Sequence, residues 1–243
     1  MEPINTLLFI VEVSYVLVGI DLLRRAKVTR GLPEFFLGSA FVFNGLSYFF
    51  TDLPIVIGNE AILNEFSFIG RIFAGGCALT IGVFTWRAFR PGAPLAKGFL
   101  WAVGALILVG LSVSALEGDW EGAYPLTYKG FWFEWIGGML PFIWLATESL
   151  RTYAESRKRV RIGLSDPLVA NRFMLIGLYA VLASLTYPIF LWMYIQYERH
   201  GVWSDPLNTT AGIVELVSLA ALWTTLAAPE FYRRWISSAQ PST

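Results

Sequence analysis

Four charged side chains lie inside long apolar stretches of this 243-residue chain: Glu12, Arg71, Glu134 and Glu215. A charge in an apolar medium costs a few kcal/mol or more unless it is paired or faces a cavity, so each is a candidate functional residue. Counted inward at about 1.5 Å per residue, all four lie roughly 7–12 Å from the same end of their stretches. We therefore expect Arg71 to contact at least one glutamate, and the remaining carboxyl groups to be protonated, hydrogen-bonded or holding a cation.

Neutral polar and aromatic residues near this layer predict a small-molecule pocket. Asn44, Tyr48 and Tyr187 would form its floor, below the four charged residues, and the seven together are our candidate ligand-binding residues. An apolar pocket with a few polar anchors is typical of such sites. Most aromatic residues nearby are interpreted as an interfacial belt, with a minority facing inward. This aromatic set comprises Phe131, Trp132, Phe133, Trp135, Tyr187, Trp192 and Tyr194.

The scarcity of cysteine and histidine excludes several kinds of site. Cys77 is the only cysteine and His200, expected in a loop, is the only histidine. An internal disulfide, a cysteine-based metal site, a multi-histidine zinc site and bis-histidine haem ligation are therefore excluded by ligand count. The apolar stretches also offer no pairing of a nucleophile with a base. We expect no catalytic residues, no metal and no cofactor, and hence no enzyme.

Composition and the length of the apolar stretches predict an all-α integral membrane protein. The chain is 56% hydrophobic and only 15% charged. A helix needs roughly 20 mostly apolar residues to cross a bilayer, and the long runs lack the alternation of barrel strands. One domain, residues 1–243, would hold all seven transmembrane helices. We place them at about 4–23, 34–57, 66–87, 98–117, 129–149, 170–196 and 209–230.

The distribution of charge predicts the orientation, because lysine and arginine are retained on the cytoplasmic side. The basic residues gather in the first, third and fifth connections and in the tail. Acidic residues gather on the opposite side, in loops expected to hold Asp52, Glu60 and Glu65, and Glu117, Asp119 and Glu121. The amino terminus is therefore predicted outside and the carboxyl terminus in the cytoplasm. Because Met1-Glu2-Pro3 lacks a basic leader, we expect no cleaved signal peptide.

Three acidic residues near the cytoplasmic boundary each precede an arginine by three or four residues, the spacing of neighbours on one helix face. We expect them to form surface ion pairs. The pairs are Asp21 with Arg24 or Arg25, Glu148 with Arg151, and Glu230 with Arg233 or Arg234. The basic fifth connection has an alternative role, as a docking face for a signalling partner or anionic lipid.

Seven helices with an external amino terminus are also the topology of microbial rhodopsins and G-protein-coupled receptors. Rhodopsins hold retinal on a lysine in the seventh helix, whereas this chain has none there, which excludes a covalent retinal pigment. The third helix ends in Phe84-Thr85-Trp86-Arg87, which departs from the Asp-Arg-Tyr pattern of the receptors. Topology alone does not indicate function.

Short matches between the two halves of the chain suggest a parallel repeat of three helices, a linker and three helices. Gly38 precedes Tyr48 by ten residues, as Gly177 precedes Tyr187. The pairs would be helices one and five, two and six, and three and seven, which is the organisation of SWEET sugar transporters. The proline-glutamine signature of that class is absent.

Two functional hypotheses follow. In the first, the protein is a receptor-like or sensor-like membrane protein that binds a lipophilic or amphipathic small molecule in an outward-facing pocket. Helices bent at Pro141 and Pro188 would then tilt toward a cytoplasmic signalling partner. In the alternative, it is a small secondary transporter or channel whose buried carboxylates bind a proton or cation. The expected partner is the lipid bilayer, not nucleic acid, and short loops favour a bacterial inner membrane.

Overall fold

The chain folds into α-helices, as the sequence predicts. The computed structural model describes residues 3–117, 125–201, 205–227, 229, 230, 232, 234 and 236. Within them are seven α-helices, two short 3-10 helices and no strand. The α-helices are α1 (Pro3–Thr29), α2 (Leu32–Val56), α3 (Leu63–Phe89), α4 (Pro94–Glu117), α5 (Lys129–Arg161), α6 (Pro167–His200) and α7 (Asp205–Ala227). The 3-10 helices are Glu60–Ile62 and Pro125–Thr127. The predicted loop residues Asp119 and Glu121 and the tail residue Arg233 lie outside the described residues.

Four of the described helices are long and apolar enough to cross a membrane. They are α3, α4, α6 and the Pro206–Thr225 part of α7. Helix α5 continues beyond the predicted boundary at residue 149 to Arg161, so its basic final turns are helical and not a loop. The structure therefore supports a membrane protein by the length and composition of four helices.

The helices form a ring with one helix outside it. Helices α1, α2, α3, α5, α6 and α7 pack in this order and close on α1, while α4 packs on α3 and α5. We call the end where α1, α3, α5 and α7 begin the upper end, and the other the lower end. In this ring α1 faces α5, α2 faces α6 and α3 faces α7. A parallel repeat would give this arrangement, but so would any ring in chain order, so the repeat stays a prediction.

Apolar side chains fill the lower half of the ring. Leu22, Leu37, Phe84, Leu145 and Leu222 come from five helices and are each at most 3% exposed. Such close packing excludes water and removes apolar surface from it. The polar interior described below lies above this apolar layer.

Ion pairs at the lower end agree only partly with prediction. Arg25 contacts Asp21 at 2.8 Å and Arg234 contacts Glu230 at 3.1 Å, which confirms two surface pairs. The predicted partner of Glu148 is wrong. Glu148 faces α3 and contacts Arg90 at 2.8 Å. Because Arg151 lies on the exposed face of α5, it contacts Glu155 instead, at 3.2 Å.

Four residues expected in loops lie in α-helices. Asp52 is in the penultimate turn of α2 and Glu65 is in the first turn of α3, while Glu117 and His200 are the last residues of α4 and α6. His200 is exposed, whereas the structure places Asp52 against other carboxyl groups inside the bundle. The charge of Asp52 suggested a loop, but its position in the helix makes it part of the candidate site.

Candidate functional site

All seven predicted ligand-binding residues lie in the upper half of the bundle, and the structure divides them between two clusters. Arg71 and Glu134 belong to the arginine cluster, which also contains Ser114 and joins α3, α4 and α5. Glu12, Tyr48 and Glu215 belong to the acidic cluster, which also contains Tyr15 and Asp52 and joins α1, α2 and α7. Tyr187 lies within electrostatic range of Glu215, and Asn44 lies one helical turn from Tyr48 on α2.

The arginine cluster is fully paired. Arg71 donates from Nε to Glu134 Oε2 and from Nη2 to Glu134 Oε1, both at 2.9 Å. The same Nη2 lies 2.9 Å from Ser114 Oγ, which itself donates to Glu134 Oε1 at 2.8 Å. This two-pronged contact is the strongest geometry for an arginine–carboxylate pair. The expected contact between Arg71 and a glutamate is confirmed.

Two glycines allow the arginine cluster to form, because they let α4 and α5 approach closely. A Cβ at Gly110 would lie 2.6 Å from Glu134 Cγ and 2.8 Å from the Glu134 backbone nitrogen. A Cβ at Gly130 would lie 2.7 Å from the Ser114 backbone nitrogen. Small residues at such crossings are characteristic of membrane helix packing. Here they bring Ser114 within reach of Glu134.

The acidic cluster is centred on Glu215, which is only 5% exposed. Tyr48 donates its hydroxyl hydrogen bond to Glu215 Oε1 at 2.5 Å. Tyr15 lies beside the Ser218 hydroxyl, which donates to the backbone carbonyl of Glu215 at 2.7 Å. Two tyrosines, from α1 and α2, therefore lie against the turn of α7 that carries the carboxylate.

A second pair of carboxyl groups lies beside Glu215. Glu12 of α1 is 8% exposed, and its carboxyl group lies beside that of Asp52 of α2. Two neighbouring carboxyl groups repel each other when both are ionised. Glu12 also lies within electrostatic range of Glu215. The cluster thus gathers three carboxyl groups, and none has a basic partner among the described residues.

Three polar side chains next to the acidic cluster have no hydrogen-bond partner among the described residues: Asn44, Tyr179 and Tyr187. Asn44 shares one face of α2 with Tyr48, four residues later. Tyr179 is only 2% exposed, and its hydroxyl lies within electrostatic range of Glu215, as does that of Tyr187. Of the three, Tyr179 is buried, whereas Asn44 and Tyr187 are half-buried.

The seven aromatic residues divide between the interior and the outside, but the predicted proportion is wrong, because four of them and not a minority face inward. Trp135 packs on Tyr187 with ring centroids 5.1 Å apart, and Phe131 packs on Tyr194 at 5.8 Å. These four rings face the interior. Trp132, Phe133 and Trp192 are 38–50% exposed on the outside of the bundle. Tyr194 lies within electrostatic range of both Arg71 and Asp52, so it stands between the two clusters.

Sequence reasoning missed three members of these clusters. Asp52 follows Tyr48 by four residues and Tyr15 follows Glu12 by three, so helical spacing alone places each beside a predicted site residue. Nothing in the sequence marks Ser114, which joins the arginine cluster only because α4 packs outside the ring on α5.

The clusters are not arranged as a metal centre. Among the described residues, no three histidine, cysteine, aspartate or glutamate side chains are positioned to hold a metal ion. The contacts that the clusters do show are hydrogen bonds and ion pairs.

The chain matches no protein-family model, no curated protein and no solved structure.

Proposed function

We propose that this chain is a receptor-like membrane protein that binds a lipophilic or amphipathic small molecule in the upper half of its helical ring. The observation that carries the proposal is a pair of tyrosine hydroxyls without a described hydrogen-bond partner, those of Tyr179 and Tyr187, within electrostatic range of the Glu215 carboxylate. A few oriented polar groups within apolar and aromatic walls are what a small-molecule site requires. Trp135 and Phe142, which pack on Tyr187, supply part of those walls.

The proposed topology is seven transmembrane helices with the amino terminus outside. The basic residues at the lower end support this orientation, since such residues remain in the cytoplasm. The pocket then opens toward the outside, and the apolar layer containing Leu22, Leu37 and Leu222 separates it from the cytoplasm. A bacterial inner membrane is the proposed location.

The proposed response to the ligand passes through α5 and α6. Both helices contribute rings to the pocket, Trp135 and Tyr187, and both contain an internal proline, Pro141 and Pro188. Helix α5 continues to a basic exposed end at Arg161. A ligand that shifts α5 would therefore move a basic surface available to a cytoplasmic signalling partner.

Binding can be tested with three probes of one size and different charge: benzyl alcohol, benzylamine and phenylacetate. Purified protein in lipid nanodiscs would be titrated at neutral pH while tryptophan fluorescence is recorded, with empty nanodiscs correcting for partition into lipid. We expect at least one probe to bind saturably and Tyr187→Phe to weaken that binding. Tyr153→Phe, at the lower end of α5, is the matched control and should bind as the parent does. Failure of all three probes to bind saturably would overturn the proposal.

A second function, transport of a proton or cation, is favoured by a different observation. Glu12, Asp52 and Glu215 lie together without a basic partner among the described residues, and such acids serve proton and ion relays. If the protein transports protons, proteoliposomes that contain a pH-sensitive dye should show proton uptake. Glu215→Gln should abolish that uptake. A receptor would leave the dye signal unchanged.

A further inference from the structure

The charge of the acidic cluster specifies the kind of molecule that the proposed pocket binds. We infer that its ligand is an organic ammonium ion, a protonated amine carrying a small apolar or aromatic group. The inference rests on the proposed function, because it names the ligand class of the same pocket.

The first support is the balance of charge among the described residues of the upper half. Its helices carry one arginine within their span, Arg71, and both Nε and Nη2 of that guanidinium are bound to Glu134. Lys129, Arg199 and His200 stand exposed at helix ends. No described basic group is therefore left to pair with Glu215 or with the Glu12–Asp52 pair. A buried carboxylate without a counter-charge is costly, so a cationic ligand would be bound in preference to a neutral or anionic one.

The second support is independent of the carboxyl groups. Tyr179 is 2% exposed and its hydroxyl has no partner among the described residues, although it lies within electrostatic range of Glu215, Tyr15 and Tyr187. A hydroxyl is able to accept a hydrogen bond from an ammonium group, which has only donors to offer. The Tyr187 hydroxyl and the Asn44 amide oxygen are further acceptors. The ligand's donors and the pocket's acceptors are thus complementary.

The third support is the aromatic surface that surrounds the acids. Tyr15 and Tyr48 pack with ring centroids 6.4 Å apart, and Tyr15 also packs on Phe41 at 5.5 Å. Aromatic faces attract organic cations through their quadrupoles, and more strongly where water is excluded. A bare metal ion needs several oxygen ligands in one shell. Carboxylates combined with aromatic faces are therefore better suited to an ammonium ion with a hydrocarbon group than to a metal ion.

The test compares the charged and neutral probes on the same protein. Parent protein in nanodiscs should bind benzylammonium at least about tenfold more tightly than benzyl alcohol, since one ion pair in a partly desolvated site is worth that much. Glu215→Gln keeps the shape and an acceptor for Tyr48, and it should remove most of this preference. Asp21→Asn changes one carboxylate of an exposed pair at the lower end and should leave the preference unchanged.

The ranking of the three probes decides whether the ligand is an organic ammonium ion. Tightest binding of benzyl alcohol or phenylacetate would overturn the ammonium assignment while leaving the small-molecule function in place. Saturable binding of none of the probes would overturn both. Stabilisation by sodium chloride, with no response to benzylammonium, would replace the amine with an inorganic cation and support transport. If Glu215→Gln fails to fold, Glu12→Gln and the charge ranking of the parent protein still decide the question.

Discussion

The arginine cluster and the acidic cluster lie in the same half of the bundle, yet their chemistry differs. In the first, Arg71, Glu134 and Ser114 bond to one another and the charges cancel. In the second, Glu215 has a tyrosine partner but no cation among the described residues. The first arrangement is complete as it stands, whereas the second requires a proton, an ion or a ligand.

This difference separates a packing role for the arginine cluster from the binding role that we propose for the acidic cluster. Arg71 joins α3 to α5, and Ser114 adds α4, so the arginine cluster holds three helices together. The acidic cluster joins α1, α2 and α7 and leaves polar groups open beside it. We therefore expect mutations in the arginine cluster to act on the free energy of unfolding, and mutations in the acidic cluster to act on ligand affinity.

The largest expected effect is that of Arg71→Met. It leaves the Glu134 carboxylate, whose side chain is 15% exposed, without its counter-charge. Breaking a buried pair in this way should lower the free energy of unfolding by about 3 kcal/mol or more. Titration with SDS from mixed micelles, followed by tryptophan fluorescence, would measure the change.

The double variant Arg71→Met with Glu134→Met is the control for this prediction. Removing both charges together should recover much of the lost stability, because two apolar side chains can pack where the pair stood. An equal loss in the single and double variants would show that the contact does not stabilise the bundle.

Gly110→Ala should have the next largest effect, because its Cβ would meet the backbone nitrogen of Glu134 at 2.8 Å. Separating α4 from α5 to make room should cost about 1–3 kcal/mol. Gly104→Ala on the same helix is the matched control, since its Cβ would meet only Leu79 Cδ2 at an ordinary 3.5 Å. Thermal unfolding of both variants in one detergent would compare them. Equal melting temperatures would mean that the close crossing is unimportant.

Two tyrosine-to-phenylalanine variants sharpen the comparison between paired and open groups. Tyr48→Phe removes the hydroxyl that donates to Glu215 and should lower the free energy of unfolding by roughly 1–3 kcal/mol. Tyr187→Phe removes a hydroxyl without a described partner and should change stability by less than about 0.5 kcal/mol while weakening ligand binding. SDS titration and probe binding would be measured on both. A large stability loss in Tyr187→Phe would show that its hydroxyl is already satisfied.

Much of the fold could be predicted from sequence because helix formation in apolar stretches depends on local composition. The contact of Arg71 with a glutamate followed from the cost of an unpaired charge, and Glu134 is that glutamate. The choice of Glu134 over Glu12 and Glu215 could not be predicted. It depends on α3 packing against α5, which is a property of the ring and not of either helix.

The wrong predictions for Asp52 and Glu148 have the same origin, which is that helix packing cannot be read from one helix. The charge of Asp52 predicts a loop, although this residue continues the face of α2 that carries Tyr48. Spacing predicts a pair of Glu148 with Arg151, but the face of α5 that carries Glu148 turns toward Arg90, which follows α3. Spacing along one helix shows which residues share a face. Only the tertiary packing shows which helix that face meets.

The smallest expected effect concerns an ion pair outside both clusters. Glu155 and Arg151 are spaced four residues apart on α5, with side chains 57% and 62% exposed. Water and salt screen such a pair, so Glu155→Gln should change the free energy of unfolding by less than about 0.5 kcal/mol.

Glu148→Gln is the comparison for Glu155→Gln, because the Glu148 carboxylate is 13% exposed and the hydrogen bond that it accepts from Arg90 joins the end of α3 to α5. It should cost more than Glu155→Gln in the same SDS titration, and added salt should narrow that difference only slightly, since salt screens buried pairs less. Equal small losses in the two variants would show that joining two helices does not make an ion pair stabilising, and would weaken the same argument for Arg71 and Glu134.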